Sequence, residues 1–399
     1  MRTKKSVNTW FVNQMESTTT LNDGIEGLSK LSQLTVVVPS YERQEFLLRQ
    51  IVYWRGTEVN LVIVDGSVQS LEGFISSHTL EKRNFTYIHS QTPFAERLKF
   101  AAAKIDTKYT VLLGDDEFFL KTGLISVLDQ LEGNPDIEAC IGQTRNFHLR
   151  NNNITYRDEG YPHGDYQVRQ DEVDERLNAA MREYRAATCY AVIRSETWVK
   201  SYGNIKNWGS PYTAEMQQAF HVYIAGKLTT SEKMYWLRSS ENSPINTKNF
   251  DRTFSFESWW NTSKFSAEKE VFVNLLASEI QGPQNEHVNK EIVVAAAQLF
   301  IDSSQKKRAP QNGLQKLSQK SISFFGKVAR LVLPQFLFSK LLEALLNLRG
   351  AIASVFKAER KGESVAALSD LPTLTLEQQA ELIKIEDLIK QFSQTKNGT

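Results

Sequence analysis

The chain has little cysteine, almost no net charge and no long apolar run, and each shortage removes a class of protein. Its only cysteines, Cys140 and Cys189, lie far apart in 399 residues, with neither a Cys-x-x-Cys nor a histidine at ligand spacing. That argues against a disulfide scaffold and a structural zinc site and fits a reducing cytoplasm. The 47 basic and 46 acidic residues leave a formal charge of +1, so no field of one sign draws the chain to nucleic acid. No run reaches the roughly 18 apolar residues that a membrane-spanning helix needs. Arg2, Lys4 and Lys5 precede no apolar stretch of the kind a secretory signal carries. Glycine is missing where phosphate-binding loops need it. The first apolar run, residues 34–38, continues into Pro39, Ser40 and Tyr41, which matches neither the Gly-x-Gly-x-x-Gly fingerprint nor a P-loop. Phosphate bound here has to be held by a metal ion.

What is present organises the chain around the acidic stretch that follows residue 108. Hydrophobic residues make up 41% of the composition, enough for a sizeable core and two or three structural units. Residues 1–33 are polar and read as a loosely packed leader. Residues 34–38 form a strand, and Phe46, Leu47, Ile51 and Trp54 then recur at helical spacing. Residues 61–64 form a second strand ending in Asp65 and Gly66, residues 85–89 a third, and residues 93–105 an Ala-rich helix. Residues 109–113 are an apolar strand that stops at Gly114, Asp115, Asp116 and Glu117. Strands that alternate with helices and carry no polar alternation imply a mostly parallel sheet covered on both faces. Ligands bind at the carboxyl ends of such strands, so Asp65 and the Asp115/Asp116 pair are expected at one sheet edge. Three adjacent acids repel one another and favour a hard cation that grips phosphate oxygens; the alternative is a solvated acidic turn. Asp65 is alternatively a turn former or helix cap, and Arg97 and Lys99 either reach a bound phosphate or form a solvated helix face.

Beyond the acids, residues 123–131 read as an amphipathic helix, 137–147 as a returning strand and 151–170 as a long polar loop over the sheet edge. A helix over 172–185, a strand and helix start over 189–198, and a last strand over 235–238 follow. Met216, Phe220, Tyr223 and Ile224 share one face of a helix that ends at Gly226. Glu215 lies in its first turn, where the helix dipole also favours a carboxylate; His221 reads as a packed or surface histidine. Phe254, Phe256, Trp259 and Trp260 stand ready to cover the core. Residues 305–361 hold twelve Lys/Arg against two Glu, with apolar residues at helical spacing around Pro334. They read either as helices lying on an anionic membrane or as a packed bundle. A further capped helix and a frayed end complete the chain.

Three blocks, VVVPSYERQEFLLRQI, LVIVDGS and YTVLLGDDEFFLKTGL, resemble successive blocks of the nucleotide-sugar glycosyltransferases of the GT-A fold, family 2 type. The resemblance spans residues 34–238. It implies a GT-A-type, Rossmann-like α/β domain over 34–245, between the polar leader 1–33 and a mostly helical region 246–399. It also implies that Pro39, Tyr41, Arg43, Asp65, Arg97 and Asp115 contact the nucleotide-sugar, and that Mn²⁺ or Mg²⁺ sits on its diphosphate. Aligning Tyr109 and Leu124 with the family pattern puts Gly114 where the first aspartate of Asp-x-Asp is expected and Asp116 at the second, the metal ligand. A shift of one residue promotes Asp115, and Glu117 is a further candidate. Glu215 falls at the general base, with Ala214 replacing the acid that usually precedes it. In an inverting transfer that carboxylate deprotonates the acceptor hydroxyl as it attacks the anomeric carbon, while metal stabilises the departing diphosphate. The resemblance thus implies a saccharide or lipid-linked saccharide acceptor in bacterial-type surface glycan or glycolipid assembly, in the cytoplasm or at the inner face of its membrane. The rivals are a nucleotidyltransferase acting on sugar phosphates, which normally opens with a glycine-rich basic loop, and a catalytically silent nucleotide-sugar binder.

Overall fold

Valine-rich segments with no polar alternation have to bury both faces, and the computed structural model shows them doing so. It describes residues 2–17, 21–78, 84–157, 166–242, 255–281, 285–308 and 374–397. The chain divides into one unit of Met1–Ile301 with Val365–Thr399 and a second of Asp302–Ser364.

In the first unit β1 (Leu34–Ser40), β2 (Asn60–Asp65), β3 (Phe85–His89) and β4 (Tyr109–Leu112) lie in the order β3-β2-β1-β4, all parallel. They are joined by α2 (Gln44–Trp54), α3 (Glu72–His78) and α4 (Phe94–Ala102), following α1 (Arg2–Glu16). This parallel half is the one the sequence pattern led us to expect. The register pairs Val38 with Ile63 and Ser40 with Asp65, so both strands deliver polar residues to the same carboxyl edge. Leu113 N–H donates to Val37 O at 2.9 Å, which carries the acids that follow to that edge too.

The other half is mixed. After β5 (Phe118–Phe119) and α5 (Lys121–Gly133) come β6 (Ile137–Arg150), β7 (Asn153–Arg157), β8 (Val192–Arg194) and β9 (Lys227–Ser239). β8 joins β4 to β6 through antiparallel pairs, β6 runs parallel to β9, and β5 pairs antiparallel with β9. The run of asparagines expected to open a long loop is instead a hairpin turn. Asn151 and Asn152 have φ of 48° and 65°, a left-handed backbone that asparagine tolerates, and β7 returns along β6.

One further segment differs from the sequence reading. The leader is not loosely packed: in α1 Val7, Trp10 and Phe11 are buried, with Trp10 edge-on to Phe392 and Phe11 against Phe74. Three apolar residues make a weak periodic signal, and their burial depends on partners distant in sequence. Arg55 Nη1 donates to Gln14 O and Met15 O at 2.6 and 2.9 Å, satisfying carbonyls at the end of that helix. The tail carries the capped helix the sequence announces: Gln378 N–H donates to Thr375 Oγ1 at 3.2 Å, α12 (Leu376–Asn397) buries Leu382, Ile385, Leu388, Ile389 and Phe392, and the frayed end expected past 397 lies outside the described residues. The α12 label follows α6 (Val173–Arg182), α7 (Ser195–Ser201), α8 (Pro211–Ala225), α9 (Phe256–Asn261), α10 (Ser266–Ala277) and α11 (Glu286–Arg308). The basic stretch 305–361 lies outside the described residues beyond 308, where α11 ends. No helix among the described residues is long and apolar enough to cross a membrane.

Candidate functional site

Two loops meet above the ends of β1 and β2. Gly66 N–H donates to Ser40 O at 2.9 Å, Glu42 N–H to Ser67 Oγ at 3.0 Å, and Val68 N–H to Glu42 Oε1 at 2.8 Å. These bonds hold Glu42 at φ 54°, a left-handed conformation that costs a non-glycine residue on the order of 1 kcal/mol. Pro39, one residue before the end of β1, is half-buried, and Tyr41 is exposed beside the junction. Asp65 is fully buried and fully satisfied: Oδ1 accepts from Ser67 N–H (2.9 Å) and Oγ (2.6 Å), and Oδ2 from Gln44 Nε2 (2.9 Å) and Tyr87 Oη (2.7 Å). In this state the carboxylate shapes the loop, and a nucleobase reaches it only by replacing one of those donors. Arg97 lies beneath the same junction. Its Nη1 donates to Ser40 O and, at 3.2 Å, to Val64 O. Burial pulls its pKa below the ordinary arginine value, against the Asp65 charge. A Cβ on Gly66 would sit 2.6 Å from Arg97 Cζ, so glycine is what lets the guanidinium approach. Lys99 pairs with Glu96 on the exposed side of α4, a solvated face.

The acids sit opposite this junction. Asp115 Oδ2 accepts from Ser40 Oγ at 2.7 Å, and Asp116 Oδ2 from Asn242 Nδ2 at 2.9 Å. Between them lies Arg43, whose Nη1 is 3.3 Å from Asp115 Oδ1 and 3.6 Å from Asp116 Oδ2. Burial, then the neighbouring Asp116, raises the Asp115 pKa to about 6, opposed by Ser40 and Arg43. Glu117 accepts from Trp236 Nε1 at 3.0 Å and lies 3.9 Å from Arg238 Nε. Burial and the Asp116 charge push it up to about 8.

The acid loop is held from α2, whose sequence is apolar nearly all round and which is buried from Phe46 to Trp54. Arg49, Gln50 and Tyr53 fall on one face of it. Arg49 Nη2 donates to Asp116 O (2.9 Å), Gln50 Nε2 to Asp115 O (3.1 Å) and Glu117 O (2.6 Å), and Tyr53 Oη to Phe119 O (2.6 Å). The Arg49 guanidinium is 4.7, 4.9 and 4.8 Å from the rings of Phe46, Phe118 and Phe392 and pairs with Glu241 at 2.9 Å. Sequence reasoning missed Arg49 and Gln50. Their signal was two polar side chains inside an otherwise apolar helix, which have to find partners when buried. Glu241, Asn242 and Trp236 carried no local signal.

Glu215 belongs to a neighbouring cluster. Pro211 opens α8, and Glu215, half-buried in its first turns, accepts from Tyr184 Oη at 2.8 Å. Burial lifts its carboxyl above the usual range, against that hydrogen bond. Between Glu215 and the acids runs the segment 184–190: Tyr184 touches Glu215, while Tyr190 stacks at 4.0 Å on Trp236, which holds Glu117. No hydrogen bond or ion pair among the described residues joins Glu215 directly to Asp115 or Asp116. His221 is buried in α8, as a packed histidine, with its pKa lowered to about 4 by burial and then by Lys200.

Asp115 and Asp116 offer two carboxylates, and no group of three or more His, Cys, Asp or Glu suited to a metal occurs among the described residues. Mg²⁺ and similar hard ions are commonly held by one or two carboxylates, with substrate phosphates and water completing the shell. The pair therefore fits an ion that arrives with a phosphate ligand better than a resident cage.

No family model matches the chain, and no curated protein does. Solved structures similar to it include S. aureus TarS 1–349 in complex with UDP-GlcNAc, at a TM-score of 0.44 and 13% identity, and in complex with UDP, at 0.42 and 12%. Each covers 92% of this chain and 92% of its own. A longer S. aureus TarS chain is similar over 68% of this chain at a TM-score of 0.43 and 12% identity, and there the match spans 43% of that chain.

Proposed function

We propose that the chain is a metal-dependent glycosyltransferase that moves a sugar from a nucleotide-sugar to an acceptor hydroxyl with inversion. The observation that carries the reading is the convergence of the Ser40–Arg43 loop, the Asp65 loop and the Asp115/Asp116 pair at the carboxyl edge of a parallel sheet. Pro39, Tyr41 and Arg43 would line the donor with the Asp65 loop, and Asp116, with Asp115, would hold Mn²⁺ or Mg²⁺. When bound, that ion supplies charge stabilisation to the departing diphosphate. Glu215 would accept the acceptor proton as the acceptor oxygen attacks the anomeric carbon and the carbon–oxygen bond to diphosphate breaks. Its raised pKa suits proton uptake. The acceptor we propose is a saccharide or lipid-linked saccharide of a bacterial-type surface glycan.

The test is thermal unfolding with a nucleoside diphosphate in Mn²⁺ and in EDTA. At a ligand concentration a hundred times Kd, linkage stabilises the protein by about 2.7 kcal/mol, and we expect this in Mn²⁺ alone. Equal stabilisation in EDTA would sink the metal bridge. Asp116→Asn should abolish the metal dependence more completely than Asp115→Asn, and the reverse order would move the ligand register by one residue. Donor hydrolysis, measured over a panel that starts with UDP-GlcNAc, separates an enzyme from a silent binder.

A further inference from the structure

We infer that Tyr184 is a positioning residue for Glu215: its phenol ties down Oε1 and leaves Oε2 as the oxygen that takes the acceptor proton. This rests on the reading of Glu215 as the general base. Tyr184 lies two residues past the end of α6 and donates from Oη to Glu215 Oε1 at 2.8 Å. Among the described residues no hydrogen bond or ion pair engages Oε2, and Glu215 keeps accessible surface.

The ring that carries this hydroxyl is itself held. Phe300 of α11 meets it edge-on, with centroids 5.4 Å apart and planes at 83°, and Phe256 of α9 meets Phe300 in the same manner at 5.7 Å. Edge-to-face pairs favour one relative orientation of the rings, so helices that follow the sheet in sequence brace the base through one phenol. The other tyrosines around the segment 184–190 are committed elsewhere. Tyr202 and Tyr235 donate from Oη to Cys189 O and Tyr190 O at 2.8 and 2.7 Å, and the hydroxyls of Tyr166 and Tyr223 bond to each other at 2.9 Å. Tyr184 is the tyrosine of this cluster that gives its proton to an acid.

The electrostatics point the same way. Burial lifts the Glu215 carboxyl above its usual range, and the Tyr184 hydrogen bond opposes that rise. The other titratable groups facing this carboxylate are Cys189 and Tyr202. Burial raises both well above their ordinary values, so both are neutral at pH 7. Tyr184 is raised in the same way and stays a donor. The phenol is thus the group that favours the ionised carboxylate, the form that a base needs. Loss of the hydroxyl leaves burial unopposed, raises the carboxyl further and frees the Glu215 side chain to rotate.

The experiment has two arms on the full-length protein, for wild type, Tyr184→Phe and Phe300→Leu. The first is an infrared titration of the carboxyl band, each chain read against the same chain carrying Glu215→Gln, which gives the midpoint of Glu215 protonation without any substrate. The second is the pH profile of kcat and KM for donor hydrolysis in Mn²⁺, with water as acceptor, over the panel that starts with UDP-GlcNAc. Tyr184→Phe keeps the ring against Phe300 and removes only the hydroxyl. We expect its midpoint and the acid limb of its kcat profile to move to higher pH, and its plateau kcat to fall about tenfold at unchanged donor KM, within the roughly 10²–10⁴-fold that a general base supplies. Phe300→Leu, which loosens the ring and keeps the hydroxyl, should shift both in the same direction by less, and it carries the test if the Phe variant does not fold by circular dichroism. A midpoint or an acid limb that stays in place in the folded variants would overturn the positioning role, and loss of turnover in Glu215→Gln would then leave the base reading standing. If Glu215→Gln turns over as wild type does, or wild type hydrolyses no donor, both the positioning role and the base reading are wrong.

Discussion

At the scale of single residues, the chain tolerates buried polar groups where each has a stated partner, and the exceptions make measurable predictions. His221 is 3% exposed, with Nε2 unpartnered. Its pKa falls from 6.5 to about 4 on folding, so its neutral form is favoured in the folded state. A group depressed in this way contributes stability that is complete above pH 6.5 and is lost as pH falls through 4. The full swing amounts to about 3 kcal/mol. His221→Leu should lack that component, so urea titrations from pH 7 to pH 4 should show wild type losing more stability than the variant by up to this amount. Parallel curves would mean that the histidine stays neutral in both states or is solvated in both. The sequence made His221 legible as a packed residue only through the absence of a second ligand at helical spacing. Asp65 was legible as a strand-end acid, but its four donors come from Ser67, Gln44 and Tyr87, and no local pattern reveals that saturation.

At the scale of elements, α12 acts as a brace for the acid loop. Phe392 supplies one of the three rings around Arg49, which holds Asp116 O. Glu381 accepts from Lys121 N–H at 2.6 Å, Thr122 N–H at 3.1 Å and Thr122 Oγ1 at 2.7 Å, capping α5 just past the loop. Free N–H groups at a helix start favour a carboxylate, and here a distant helix supplies it. Phe392→Ala should cost about 3–5 kcal/mol, read from guanidinium unfolding. Because the Phe392 ring and the Arg49 guanidinium touch, the loss should be non-additive with Arg49→Met by at least about 0.5 kcal/mol. Additive losses would show that α12 and the acid loop are energetically separate. The α2 helix illustrates what periodicity conveys: the apolar positions announced a helix, while the partners of Arg49 and Gln50 depended on which strand end lay above them.

At the scale of the whole molecule, the parallel half of the sheet gathers the polar loops at one edge and α1, α2 and α12 pack together on the first unit. The second unit begins at Asp302, and twelve of the chain's basic residues fall within 305–361. We propose that this stretch meets an anionic membrane, where each basic residue near the surface contributes up to about 1 kcal/mol. Flotation with anionic liposomes should carry the full chain upward at low salt and release it as salt shortens the Debye length below about 10 Å. A chain that stays at the bottom at low salt has a packing surface there instead.

The amino-acid sequence by itself determined the alternation of strands and helices from β1 to β4, the parallel character of those strands, and the delivery of Asp65, Asp115 and Asp116 to one edge. Each of these follows from local composition: apolar runs too uniform for a half-exposed strand, helices at 3.6-residue spacing between them, and acids where the runs stop. Tertiary structure alone decided that Arg43 bridges the two aspartates, that Asn242 holds Asp116, that the leader helix is buried, and that Glu381 caps a helix 260 residues earlier. Such contacts join residues whose separation along the chain carries no periodic signal. They form because burying a charge or a helix end requires a partner in space, and the fold, rather than the neighbouring sequence, chooses which one it is.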